Sequence, residues 1–305
     1  MRSGFFLLFL MFLVSCGASK EEKVESAIDQ ALTFLSSDKC DEALDTLKDD
    51  QDLSNPIFLQ VLASAYACKA GVSVVEVISD LKDFNSTNVL SEISQKRFAQ
   101  SSQLTAYQSL TKSLDTILSS TQVVSQSERE SAFGTRKGQD LGMQALIYSV
   151  VQVSKFVNYF GNADNGKKGE KGGMNNCFLN YSNNPIVSAL IDDPSYPADN
   201  ACQTNADGHP ELILSTLQGK NYACHGMTLI NNSLDILETI EFGDSQDLKV
   251  LKDISEKISL LRDAIIDIDP SLNRLFDVKD TDSCLDLAEE DVQIFIFAIY
   301  ELGFK

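Results

Sequence analysis

Apolar residues in the last third of this chain recur at alternating spacings of three and four. Leu251, Ile254, Ile258, Leu261, Ile265 and Ile268 form one such seam, and Met227, Ile230, Leu234, Leu237 and Ile240 form another. That spacing stacks side chains on one face of a helix with 3.6 residues per turn, whereas a strand sorts its faces by twos. Two long seams must be buried against other helices, which points to an all-α fold. Phe242-Gly243-Asp244-Ser245 reads as the turn between them, and so short a turn predicts an antiparallel pair. Asp269-Pro270 opens another short helix. The run VQIFIFAIY over 292–300 has the β-branched residues of a strand, but nothing else in the chain would pair with it, so it is expected to be a buried helix.

Earlier segments repeat the pattern. Val24, Ile28, Ala31, Leu32 and Leu35 make a stripe over 21–36. A second helix has Ala43, Leu44 and Leu47 on its face, with Asp38 as its expected cap. Asn55-Pro56 is an N-cap followed by proline at the first helical position, and Gly71 closes that helix. A fourth helix follows over 74–84. Leu104, Tyr107, Leu110, Leu114 and Ile117 mark another helix. Ser127-x-x-Glu130 has the form of a capping box opening a long segment to Phe160, in which Gly134, Gly138 and Gly142 predict a bend or a late start. The stretch Leu141 to Ser154 carries no charge, but Gln144, Ser149 and Gln152 interrupt it, so it reads as a core helix. Residues 161–220 are irregular, rich in Gly and Asn, and hold two cysteines, with one short helix expected after Asn184-Pro185. Residues 221–305 are expected to form a bundle packed on the rest.

The chain opens with one positive charge, Arg2, and then GFFLLFLMFLV over 4–14. That is the length of a signal-peptide core and too short to span a bilayer, which needs about 20 apolar residues. It ends Leu13-Val14-Ser15-Cys16-Gly17, which resembles the lipobox of bacterial lipoproteins. The resemblance implies that residues 1–15 are a cleaved leader and that the Cys16 thiol carries the lipid. Gly17, not Asp, implies the outer membrane, with the chain facing the periplasm. Residues 16–23 read as a polar tether. Removing residues 1–15 takes away one base and no acid, so the net charge of −19 becomes one unit more negative. Such an acidic surface disfavours nucleic acid and anionic lipid.

The helices over about 24–84 resemble a degenerate tetratricopeptide repeat, a helix-turn-helix unit of about 34 residues. Phe34 stands where the repeat has an aromatic residue, Ala43 and Leu47 match its second helix, and Pro56 lies near its closing proline. Leu62, Ala63 and Tyr66 match the start of a second copy, which decays by Val75. The resemblance implies a binding surface, with Phe34 and Tyr66 as groove candidates. In such a hairpin pair Cys40 begins one helix and Cys68 ends the next, which brings them together as a disulfide. Six cysteines remain beside Cys16 (Cys40, Cys68, Cys177, Cys202, Cys224 and Cys284), an even number that suits an oxidising compartment. Two arrangements of the others stay open: Cys177 with Cys202 and Cys224 with Cys284, or Cys202 with Cys224.

Motifs for chemistry are weak. Gly161-x4-Gly166-Lys167 departs from a phosphate loop because Lys168 stands where Ser or Thr would hold magnesium. Asp164-Asn165-Gly166 lacks the ligand ladder of an EF-hand. Cys177, Cys202, Cys224 and His225 have no zinc-site spacing, and a Cys224 thiol beside His225 would be silenced by oxidation. Ser36-x-x-Lys39 and Ser109-x-x-Lys112 lack the companion motifs of penicillin-recognising enzymes. The acids Glu238, Asp263, Asp267 and Asp269 read as a solvated face. The expectation is therefore a non-enzymatic, membrane-anchored helical module without cofactor or metal, binding a protein or peptide in the envelope. The alternative comes from resemblance to tetratricopeptide-like lipoproteins that act as periplasmic partners of solute transporters, enclosing a small apolar ligand. A large apolar cavity would favour that alternative.

Overall fold

The computed structural model describes residues 19–49, 51–81, 89–96, 104–119, 125–159, 215–240 and 246–303. The fold is all-α, and the described residues contain no strand. Helices α1 (Lys20–Leu35), α2 (Cys40–Lys48), α3 (Pro56–Lys69) and α4 (Val74–Leu81) lead into α5 (Val89–Gln95) and α6 (Leu104–Leu118). Then come α7 (Gln126–Phe133), α8 (Thr135–Tyr159), α9 (Leu217–Thr239) and α10 (Gln246–Ile268). A 3-10 helix (Pro270–Asp277), α11 (Thr281–Leu285) and α12 (Glu289–Gly303) finish the chain.

Caps set most of these boundaries, and several differ from the sequence expectation. Ser19 and Glu22 form a reciprocal capping box that starts α1 at Lys20, inside the span read as a tether. Asp38 is not the cap of α2. It sits at φ 56° in the left-handed region, and Lys39 precedes the helix without a side-chain cap. Asn55 Oδ1 accepts from the amides of Ile57 and Phe58, as its position before Pro56 predicts. The second capping box is Ser125 with Glu128, two residues earlier than expected. Glu130 instead accepts from Gln126 Nε2. Gly134, at φ 81°, separates α7 from α8. Thr216 caps α9, which therefore begins within the region read as irregular.

Two helices organise the body. Helix α8 packs against α3, α4, α5, α6, α7 and α9, while α9 packs against α8, α10, α11 and α12. The long α8 fits α7 closely because Gly138 has no side chain. A Cβ there would stand 2.6 Å from the Glu130 backbone. Polar side chains of α8 reach neighbouring helices: Gln144 Nε2 donates to the Gln60 carbonyl, Gln152 Nε2 to the Tyr107 carbonyl, and Asn158 Nδ2 to the Ser94 carbonyl. Each of these amide nitrogens thus finds an acceptor, while Gln152 Oε1 is buried without a donor. The sequence-adjacent α9 and α10 do not lie alongside as a plain hairpin. Glu238, at the end of α9, pairs with Arg262, deep inside α10. The seam of α10 is shared with α5 and α12.

A separate small core under α1, α2 and α3 contains Val24, Ile28, Ala43, Leu47, Phe58 and Val61. The Cys40–Cys68 disulfide closes this unit. Cys224 and Cys284 form the second described disulfide, fully buried between α9 and α11. Cys177, Cys202, His209 and the helix expected after Pro185 lie outside the described residues, as does the turn at 242–245. The run 292–300 is helical within α12, where Val292, Phe295 and Ile299 are buried. Among the described residues no single helix is long and apolar enough to cross a membrane. Helices α3 and α4 meet that test only as a pair bent by 72°, and their apolar residues belong to the cores.

Candidate functional site

A pocket of about 280 Å³ opens between three elements. Helix α6 supplies Leu114, Asp115, Leu118 and Ser119, and α9 supplies His225, Thr228, Leu229 and Asn232. The third wall is the segment Lys279 to Asp282, which leads into α11. This wall has few apolar residues of its own, so its position depends on anchors. Asn231 Nδ2 donates to the carbonyls of Leu275 and Val278, both at 2.7 Å, and Asn232 Nδ2 donates to that of Lys279 at 2.7 Å. Lys220 Nζ donates to the carbonyls of Leu285 and Leu287 at the end of α11. The Cys224–Cys284 disulfide ties α11 to the helix that carries His225.

The polar groups of the pocket are mostly acceptors. Asp115 has no donor to its carboxylate among the described residues. Desolvation by the surrounding walls raises its pKa from 3.8 to about 6, although the residue as a whole is exposed to solvent. Asn232 is 4% exposed, and its Oδ1, which accepts from nothing, is closed off from the pocket. Thr228 Oγ1 donates to the His225 carbonyl, which leaves the oxygen free to accept. Asp280 accepts from the amide and hydroxyl of Ser283, and these bonds hold its carboxyl below the ordinary value. His225 Nδ1 lies 2.8 Å from the Tyr107 hydroxyl, and the rings meet edge to face. Burial lowers the imidazole to about 4, so it is neutral at pH 7. Lys279 is the one lysine of the lining, and it turns away: its Nζ donates to Asp235 Oδ1 at 2.5 Å. Asp235 also accepts from the Gln126 amide at 2.7 Å, and Arg129 Nη2 stands 3.9 Å from it.

The residues singled out from sequence fall elsewhere. Phe34 is half-buried against the small core of α1–α3. Tyr66 is half-buried on α3 with the Lys112 ammonium 6.0 Å from its ring centre. Cys16 lies outside the described residues. Cys224 is oxidised and carries no thiol. Glu238 is paired with Arg262, and Asp269 caps the 3-10 helix by accepting from the Ser271 amide. Among the described residues no three of His, Cys, Asp and Glu converge closely enough to hold a metal ion. Sequence reasoning missed Asp115, Thr228, Asn232 and the Lys279–Asp282 wall. The available signal was Asn231-Asn232, two amides set inside the apolar seam of α9, where side chains that bond backbone groups are out of place unless something needs anchoring.

Compared with protein-family models, curated proteins and solved structures, the chain matches none.

Proposed function

We propose that this chain is a lipid-anchored helical binding module of the bacterial cell envelope, without catalysis, held through Cys16 at the outer membrane and facing the periplasm. The observation that carries the reading is the pair of disulfides, Cys40–Cys68 and Cys224–Cys284. Disulfides persist in oxidising compartments, which agrees with the apolar run that stops at Cys16. Only Gly17 and Ala18 stand between Cys16 and the Ser19 cap. That link spans about 10 Å when extended. The lipid would therefore hold the start of α1 close to the leaflet. The loop before α3 lies at the same end, where Lys20 acts on Asp52, and Leu53 and Ile57 are exposed there.

Binding, not catalysis, suits the α6–α9–α11 pocket, because its histidine is held against the Tyr107 hydroxyl and burial makes that imidazole a weak base, lowered to about 4. A protein or peptide partner on the α1–α4 hairpins remains part of the proposal, with Phe34 and Tyr66 as contact candidates. Two apolar cavities within the main core, beside Phe156 and beside Ile254, measure about 10 and 30 Å³, room for one or two waters.

Metabolic labelling with a fatty-acid analogue tests the anchor. The expected result is label on the wild type and none on Cys16→Ala, with the label in the outer-membrane fraction. Unlabelled wild type, or label that survives the substitution, overturns the anchor. Crosslinking in intact envelopes followed by pull-down tests the partner.

A further inference from the structure

We propose that the Cys40–Cys68 disulfide is a redox latch. It clips the α1–α2 hairpin onto α3, and a dithiol that reduces it frees the hairpin while the main body stays folded. This goes beyond the binding reading above and needs the disulfide alone, not the anchor.

The hairpin is an appendage. Among the described residues α1 and α2 have extensive packing only with each other and with α3. They share a core of their own, in which Val24, Ile28 and Leu47 meet Phe58, Val61 and Ala65 of α3. The other face of α3 carries Leu59, Ala63 and Ala67 into the main core. Losing the hairpin therefore leaves α3 seated on the body. Units below about 40 residues usually need a staple to stay folded. The Lys69–Asp41 ion pair spans α3 and α2, but its side chains are 48% and 72% exposed, and exposed pairs contribute little. The disulfide is the stronger tie.

The two described disulfides differ in access. Cys224 and Cys284 are both 0% exposed within the main core, closed to an incoming thiol. Cys40 and Cys68 are each partly exposed, and exposed disulfides are the labile ones. The electrons come from an external dithiol. Its first thiolate attacks Cys68 Sγ, the Sγ–Sγ bond breaks, and Cys40 leaves as a thiolate. Cys40 is the first residue of α2, and Lys39 offers that turn no side-chain cap, so the helix amides there stabilise the leaving charge. The second thiolate of the reductant then attacks its own sulfur in the mixed disulfide, and Cys68 leaves. The two protein thiolates take up the two protons that the dithiol gave up, and the dithiol ends as a disulfide. Release of the hairpin bares Phe58, Val61 and Ala65, all buried while the latch is closed.

Thiol mapping and amide exchange on the full mature protein in detergent, before and after dithiothreitol without denaturant, test the proposal. Cys40 and Cys68 are expected to become alkylated at least about a hundredfold faster than Cys224 and Cys284, scored peptide by peptide. Amide exchange over 20–48 should then speed up by at least about tenfold, with α8 and α9 unchanged, and reoxidation should reverse it. The double variant Cys40→Ala, Cys68→Ala should show the fast exchange without reductant and no further response to it. Reduced wild type supplies the same comparison should that variant not fold. Asp41→Asn, which removes the exposed ion pair, should change exchange by less than about twofold. Cys16→Ala should respond to dithiothreitol as the wild type does, so failure of the anchor and failure of the latch are distinguishable. Equal alkylation of all four cysteines, or reduction without faster exchange at 20–48, overturns the proposal. Loss of protection in α8 and α9 together with the hairpin overturns it too, and so does a larger effect of Asp41→Asn than of reduction.

Discussion

Asp115 stands in its pocket at a cost to the fold, and that cost can be measured. Desolvation raises its pKa from 3.8 to about 6 with no compensating charge. A fully shielded group with that shift would destabilise the ionised native state by about 3 kcal/mol. Asp115 is exposed to solvent, and solvent screening at such positions reduces the expectation to at most about 1 kcal/mol. Its folded-state pKa lies above the unfolded value, so the native state binds the proton more tightly. The penalty is therefore present above pH 6 and is relieved as the pH falls towards 3.8. Asn has nearly the same shape and no charge. Asp115→Asn should make the unliganded protein more stable by at most about 1 kcal/mol at pH 7.5, read from paired urea unfolding curves. The advantage should narrow below pH 6 and fall to less than half at pH 4. Burial lowers His225 to about 4, and because Asp115→Asn leaves that burial in place its effect largely cancels in the difference. A variant less stable than wild type at pH 7.5, or a gap that does not narrow on acidification, refutes the reasoning.

Replacing both Cys224 and Cys284 by Ala should cost about 4 kcal/mol, the chain-entropy value for the sequence separation of 60. It should also release the Lys279–Asp282 wall, read as faster amide exchange at 279–287, and a loss below about 1 kcal/mol in urea melts would contradict this. Gly226→Ala would put a methyl 2.7 Å from the Phe156 ring, an overpacking that should cost about 1–3 kcal/mol. A second change, Phe156→Leu, should recover part of that loss, and strict additivity of the two would count against the contact. A fluorophore at Leu53 should be quenched by headgroup-attached quenchers in vesicles carrying the lipidated protein. One at Val75, which is 78% exposed beyond the opposite end of α3, should not be; equal quenching at both would remove the proposed orientation.

Helix identity was legible because it depends on local spacing. The seams of α9 and α10, the Asn55-Pro56 start of α3 and the glycine break before α8 all lie within a turn or two of the residues that cause them. Errors arose where two neighbouring residues could play the same role. Ser125 and Ser127 each have a glutamate three positions on, and only Ser125 forms the box. Cys40–Cys68 was legible from hairpin geometry, since the two cysteines sit at ends that an antiparallel pair brings together. Cys224–Cys284 remained one of two choices, because it joins segments whose relative position no local pattern specifies.

The pocket lay beyond such reading. Asp115, Asn232 and Asp280 come from three distant stretches, and each taken alone reads as an ordinary polar residue of a helix or cap. Periodicity and capping act over a few residues, so the sequence by itself determined which segments are helices and which faces they bury. Only tertiary packing decided that Arg262 of α10 comes to Glu238 at the end of α9 and that α6 stands across from the segment leading into α11. It also decided that Asp115, His225 and Asp280 line one cavity, because desolvation and unpaired hydrogen-bonding groups are properties of a place and not of a stretch of chain.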